Sequence, residues 1–383
     1  MTVFTLPPRV YLDDGCIESL ALEIKQSSAK RVFLVSDRGV EAAGLVEKVR
    51  AVIESASADT VAFLDIEAEP GFDNVEDCRK ALIEAECDYV VGLGGGSALD
   101  VAKAVAVLAK NGKPAIEYAG IDMFEHRGLG KSMLPTTAGT GSEVTRNAIF
   151  TDKEARLKKG LVSQYLLPDA AIIDPGLTLT LPQAVTAATG MDALTHAIES
   201  YTAPKATPHT DIYALKAVEL ISASLRRAVA AGNEIQYRRQ MAQASFFAGV
   251  SLCNAGVGAV HALAYPIGGR FKTAHGVTNA LLLPYVMEVN LAGNPAKFAH
   301  IAWAMGEYTG GLSERDQAEL AVKAVAQLSA DIGIPRKLRE FGVSEEDIAG
   351  LATESMQISR LMDNNPKKLT LEEVTAILSR ALQ

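Results

Sequence analysis

The chain is 383 residues long, 48% hydrophobic and 22% charged, with 37 Lys and Arg against 46 Asp and Glu for a formal net charge of −9. That length exceeds one ordinary hydrophobic core and predicts two domains, while the acidic balance, with no Lys/Arg-rich run, argues against nucleic acid as a partner. No stretch reaches the roughly 18 uncharged apolar residues of a membrane span, and the start, MTVFTLPPRVYLDDG, lacks the basic, apolar and small-residue order of a secretory signal. The expectation is a soluble, cytoplasmic protein with no membrane partner. Cys16, Cys78, Cys87 and Cys253 form no C-x-x-C pair, which predicts buried thiols rather than a disulfide framework or a zinc ribbon.

In chain order, short β-branched runs alternate with helical stretches. RVFLVSD begins at Arg31, TVAFLDI at Thr60, YVVGLGGG at Tyr89 and AAIIDP at Ala170. Between them, residues 75–86 and 98–112 carry apolar residues at spacings of three and four, the period of an amphipathic helix. This rhythm predicts a mainly parallel sheet covered by helices over residues 1–180. From about Leu181 the β-branched runs stop, and long helix-periodic segments start near 181, 210, 237 and 315, punctuated by Pro and Gly. Residues 181–383 are expected to form an all-helical domain, with the active cleft between the two halves.

The run Gly92, Gly94, Gly95, Gly96 leads from the strand at Tyr89 into a helix. Glycines there let the backbone turn sharply and approach a ligand, and the free N–H groups of the new helix suit a phosphate. Ser97 is expected to cap that helix; it also stands where the last glycine of a G-x-G-x-x-G fingerprint would be, so the loop is a variant of the dinucleotide motif. PTTAGTGSEVT, residues 135–145, concentrates Thr136, Thr137, Thr140 and Ser142 around two glycines, a pattern for hydrogen bonds to a ribose or phosphate, or for a Thr-rich surface turn. Asp37 ends RVFLVSD, where an acidic side chain either receives a ribose and selects NAD over NADP, or caps a helix. GLGKS, residues 128–132, imitates the end of a P-loop but has Glu125 where the first glycine belongs.

In GMDALTHAIESYT, residues 190–202, Asp192 and His196 stand one helical turn apart, and Glu199 shares their stripe as a stand-in ligand. His261 and His275 sit among small and apolar neighbours, where an imidazole needs a partner. Together Asp192, His196, His261 and His275 make a three-imidazole, one-carboxylate set suited to Fe2+, Zn2+ or Mn2+ rather than Ca2+ or Mg2+. His126, His209 and His300 lie in more polar surroundings and are read as surface or supporting residues.

GGGSALDVAKA, PTTAGTGSEVT, DPGLTLTLPQAVTAATGMDALTHAIESY and VHALAYPIGGRFKTAHG occur in this order along the chain, and together they resemble the iron-containing (group III) alcohol dehydrogenases over essentially its whole length. The resemblance implies a dinucleotide-binding α/β domain followed by a helical domain, the architecture shared with dehydroquinate synthases. It implies a metal, Fe2+ first, on Asp192, His196, His261 and His275, and NAD on Asp37, Gly94, Gly95, Gly96, Ser97, Asp100, Thr136, Thr137, Thr140, Ile149 and Lys158. The reaction implied is reversible hydride transfer between NAD and a primary alcohol or aldehyde, a diol or ω-hydroxy acid included, with the metal as Lewis acid and His261 and His275 at the reacting centre. Tyr265 replaces a histidine that many members place in a proton relay, so the proton path is expected to pass through Tyr265 or water. A homodimer or larger homo-oligomer is also implied. Two other readings make different predictions: a dehydroquinate synthase-like lyase, using NAD transiently, would produce no net NADH and need a basic pocket, and a non-catalytic metal- or nucleotide-binding protein would turn nothing over.

Overall fold

A computed structural model describes residues 3–155 and 157–383. The chain divides into two compact units, one spanning Thr5–Leu181 and the other Pro182–Gln383 together with the start of the chain up to Phe4.

The strands of the first unit are β1 (Arg9–Leu12), β2 (Arg31–Val35), β3 (Asp59–Phe63), β4 (Tyr89–Gly94), β5 (Gly120–Ile121), β6 (Gly130–Pro135), β7 (Asn147–Asp152), β8 (Leu157–Val162) and β9 (Ala170–Ile173). Six of them form a sheet in the order β1-β9-β6-β4-β2-β3, and every neighbouring pair is parallel. Buried parallel strands have apolar residues on both faces, and β2 and β4 show why. Val32 and Leu34 pack with Val91 and Leu93 against the helices Ser19–Ser27 and Leu45–Ser55. On the opposite face, Phe33, Val35 and Val90 meet the helices Phe72–Glu84 and Gly96–Leu108. A smaller sheet, β5-β8-β7, contains the antiparallel hairpin of β7 and β8.

The strand order reverses beside β2, because the chain runs from β2 to β3 on one side and then to β4 on the other. In a parallel sheet the crevice beyond the carboxyl ends at such a reversal is the usual ligand position. Asp37 follows β2, Gly94 ends β4 with Gly95 and Gly96 directly after it, and Thr136 and Thr137 follow β6, so three of the segments singled out in the sequence emerge at that edge. GLGKS does not form a phosphate loop: Gly130, Lys131 and Ser132 lie within β6, with the lysine fully buried.

Among the described residues the second unit contains helices and no β-strand. Its longest are Gln183–Thr202, Pro208–Ala230, Ile235–Ala255 and Glu314–Asp331, which correspond to the four helix-periodic segments. No single helix among the described residues is long and apolar enough to cross a membrane. The helices Gln183–Thr202, Ala259–Phe271 and His275–Asn290 position the histidines described next.

Candidate active site

Helix Gln183–Thr202 is nearly all interior from Thr186 onward, so Asp192, His196 and Glu199 project into protein rather than water. Asp192 Oδ1 is a hub. His196 Nε2 lies 3.8 Å from it, His275 Nε2 3.9 Å and His261 Nε2 4.0 Å. Two ligands bonded at about 2.1 Å to one ion stand no more than about 4.2 Å apart, so each of these pairs can share a cation. One ligand atom each from Asp192, His261 and His275 lie within 4.8 Å of one another. The His196 and His261 rings are stacked, with centroids 4.9 Å apart. Burial would raise the Asp192 carboxyl, but the imidazoles of His196, His275 and His261 and the Asn279 amide outweigh it and hold the group down to about 2. Asp192 is therefore ionised near neutral pH.

Sequence reasoning missed Asn279, one helical turn after His275 in HGVTNALLLP. Its Nδ2 lies 2.8 Å from Asp192 Oδ1 and 3.1 Å from both His261 Nε2 and His275 Nε2. The amide nitrogen marks the point on which these donors converge, while Asn279 Oδ1 is buried without a partner. A carboxylate and two imidazoles around one point, with His196 Nε2 3.8 Å from the same carboxylate oxygen, fit a divalent first-row cation. The i+4 spacing from His275 was the available signal.

The expectation for Glu199 as a stand-in ligand is corrected. Its Oε1 accepts a hydrogen bond from Val260 N at 2.7 Å, and its Oε2 lies 2.5 Å from His261 Nδ1, so both oxygens are committed away from the convergence point. Tyr265, half-buried one turn beyond His261, has its ring centroid 5.8 Å from that of His275. Of the remaining histidines, His300 Nδ1 is 2.9 Å from the Tyr201 hydroxyl and His209 packs near Phe4.

In the α/β unit the glycines are required by close approaches. Gly94 has φ of +151°, and a Cβ there would stand 2.8 Å from Ala98 Cβ and 3.4 Å from Asp37 Oδ2; at Gly96 it would stand 2.8 Å from Thr140 Cγ2. Gly95 has more room, with Thr137 Cγ2 nearest at 3.4 Å. The helix cap expected of Ser97 is also corrected: the N-cap is Gly95, the helix starts at Gly96, and the Ser97 hydroxyl donates to Ala68 O at 2.5 Å. The helix therefore begins two residues earlier than expected, with Gly95 in the extended conformation of an N-cap. Its first amides thus stay free of any side-chain cap.

Asp37 caps the short helix Arg38–Ala42, with Oδ1 accepting from Gly39 N and Val40 N at 2.9 and 3.0 Å, while Oδ2 is the oxygen turned toward Gly94. Asp100 accepts from the Ser142 hydroxyl at 2.5 Å and from Ile149 N at 3.0 Å, and it pairs with Lys103 at 2.9 Å. Lys103, which sequence reasoning did not single out, is fully buried and donates to Ser142 O at 3.0 Å and Thr145 Oγ1 at 3.2 Å. Asp100, Ile149 and Lys103 thereby brace the hydroxyl-rich loop. Thr136 N is tied to Gly94 O at 2.9 Å, and Lys158 forms an ion pair with Glu69.

Two family models together match nearly the whole chain. Residues 7–175 match the family described as "Iron-containing alcohol dehydrogenase" and residues 186–382 the one described as "Fe-containing alcohol dehydrogenase family, C-terminal". The chain is 40% identical to the 1,3-propanediol dehydrogenase of Citrobacter freundii, over 99% of this chain and 98% of that protein. It is 37% identical to the NAD-dependent methanol dehydrogenase of Bacillus methanolicus over the full length of both. A crystal structure of 1,3-propanediol oxidoreductase superposes with a TM-score of 0.97 at 39% identity, covering 100% of each chain. A sulfoacetaldehyde reductase from Bifidobacterium kashiwanohense, solved in complex with NAD+, does so with a TM-score of 0.90 at 27% identity, covering 100% of this chain and 98% of the other. The chain belongs to the iron-containing alcohol dehydrogenase family.

Proposed function

We propose that this enzyme moves a hydride between a small primary alcohol and NAD, with the reverse reduction of the aldehyde catalysed at the same site. The observation that carries this reading is the convergence of Asp192, His196, His261 and His275 Nε2 or carboxylate atoms at 3.8–4.0 Å around one buried oxygen. These four residues would hold Fe2+, with Zn2+ or Mn2+ compatible with the same donors. When bound, a cation there supplies Lewis acidity that lowers the pKa of the substrate hydroxyl and polarises a carbonyl. The chain's own residues do the rest. The buried Asp192 carboxylate, within 4.0 Å of the Nε2 atoms of all three imidazoles, would orient them toward a shared ion. Tyr265, whose ring centroid lies 5.8 Å from that of His275, is assigned the transfer of the hydroxyl proton. Oxidation releases one hydride to the nicotinamide C4 and one proton, giving aldehyde and NADH.

NAD is assigned to the carboxyl edge of the parallel sheet. The uncapped amides at Gly95–Ser97 suit the pyrophosphate, Asp37 Oδ2 suits the ribose, and Thr136, Thr137 and Thr140 line the loop braced by Asp100, Lys103 and Ile149. Lys158, held by Glu69, completes the set. The names of the relatives, a 1,3-propanediol dehydrogenase and an NAD-dependent methanol dehydrogenase, favour a short alcohol or diol, and ω-hydroxy acids belong to the same test. A cytoplasmic homodimer or larger homo-oligomer accompanies this reading.

The test is the NADH absorbance band, followed while protein purified without chelators and loaded with Fe2+ is offered NAD and a panel of primary alcohols, diols and ω-hydroxy acids. Steady NADH formation with at least one of them is expected. A lyase that uses NAD transiently would show no net NADH, and that outcome across the panel refutes the proposal.

A further inference from the structure

The helix that carries His261 begins in an unusual way. Its N-cap is Gly258, which offers no side-chain acceptor, yet its first two amides are both engaged from elsewhere. Ala259 N donates to Asn365 Oδ1 at 3.4 Å and Val260 N to Glu199 Oε1 at 2.7 Å. The second Glu199 oxygen lies 2.5 Å from His261 Nδ1. Gly258 permits this crowding, since a Cβ there would stand 3.2 Å from Asn365 Oδ1 and 3.4 Å from Glu199 Oε1. Glu199 and His261 are 6% and 2% exposed, so water does not compete for these bonds.

We infer that Glu199 is the positioning residue of the metal site, fixing through one carboxylate both the backbone from which His261 springs and the tautomer of its ring; this rests on the reading of His261 as a ligand. A carboxylate suits a helix N-terminus, where the helix dipole favours negative charge, and a carboxylate offers acceptors only. A pure acceptor at Nδ1 obliges the neutral ring to keep its proton there, which leaves the Nε2 lone pair directed at the convergence point. Oriented partners of this kind raise the basicity of a ligating imidazole and fix its rotation. A glutamine cannot do both jobs. If its oxygen keeps Val260 N–H, its NH2 group faces Nδ1 and moves the ring proton to Nε2, into the space of the cation.

The experiment titrates Zn2+ into metal-stripped full-length protein against a chelating competitor, with the visible spectrum of the Co2+-loaded form as a second readout. Wild type, Glu199→Gln, Glu199→Asp and His261→Ala are compared, along with the melting temperature of each stripped protein. Glu199→Gln is expected to weaken Zn2+ binding by roughly 10- to 100-fold and shift the Co2+ bands, with the stripped protein melting close to wild type. Glu199→Asp, charged but too short to reach both donors, is expected to lie between. Wild-type affinity and spectrum in both Glu199 variants, beside lost affinity in His261→Ala, overturns the positioning role alone. Wild-type affinity in His261→Ala overturns the ligand set itself. Lost affinity matched by an equal collapse of the stripped fold in both Glu199 variants reduces Glu199 to a structural residue and also overturns the inference.

Discussion

The two candidate sites are built on opposite principles. In the α/β unit, nearly every charged side chain near the glycine loop is already engaged within the protein: Asp37 caps a helix, Asp100 and Lys103 brace a loop, and Lys158 pairs with Glu69. What these arrangements leave available is backbone N–H and hydroxyl. In the helical unit the side chains are the site, since Asp192, His196, His261 and His275 point at one another and Glu199 is turned back to hold one of them. A backbone site announces itself through glycine, where any side chain would intrude. A side-chain site announces itself through residue type at helical spacing.

The sharpest way to break this contrast is to remove the hub. Asp192→Ala is expected to lose both bound metal and turnover while NAD binding, followed by fluorescence titration, stays within about twofold, the additive behaviour of sites that share no partners. Loss of both ligands together would mean that the sites are not independent.

A smaller effect tests whether the α/β loop is an interior structure as well as a ligand platform. Glu143 is fully enclosed, and burial pushes its carboxyl up to about 7. A carboxyl raised in the folded state is bound to a proton there while the unfolded chain has released its own. Stability on this account falls as pH rises from the ordinary glutamate value toward 7 and stays low above it. Glu143→Gln is expected to leave stability little changed at pH 4.5 and to gain up to about 3 kcal/mol at pH 8, read from denaturant midpoints. An equal effect at both pH values would remove the titration of Glu143 from the account.

Gly96→Ala places a Cβ 2.8 Å from Thr140 Cγ2. The loop must shift, and KM for NAD is expected to rise about tenfold, equivalent to about 1.4 kcal/mol, with metal content unchanged. Asp37→Ala has the mildest predicted outcome. It removes a cap worth about 1 kcal/mol and, if Oδ2 receives the ribose, narrows the preference for NAD over NADP; an unchanged ratio of kcat/KM for the two cofactors would leave Asp37 as a helix cap only.

Much of this was legible in the sequence, for reasons that particular residues show. β2 and β4 are continuous apolar runs because both faces are covered, and the helices at Gly96 and Gln183 repeat at the helical period. β1, β5, β6, β7 and β8 were not read. LKKGLV in β8 carries two lysines and a glycine, and the short hairpin it forms with β7 buries too little to impose a clear alternation. The helices Ser19–Ser27 and Leu45–Ser55 were missed likewise. In the site, residue type and spacing found Asp192 and His196 directly. Glu199 was placed on the right stripe with the wrong task, because its task is set by a ring 62 positions away in the chain. Asn279 and Lys103 went unnoticed since an amide and a lysine one turn from a flagged residue look like ordinary helix surface until burial is known.

The most direct measurement is anomalous diffraction at the iron absorption edge from crystals of the Fe2+-loaded enzyme. A single strong peak per chain within bonding distance of Asp192 and of His196, His261 and His275 Nε2 is the predicted result. A peak held by other residues, or none near these four in crystals that contain iron, would contradict the account.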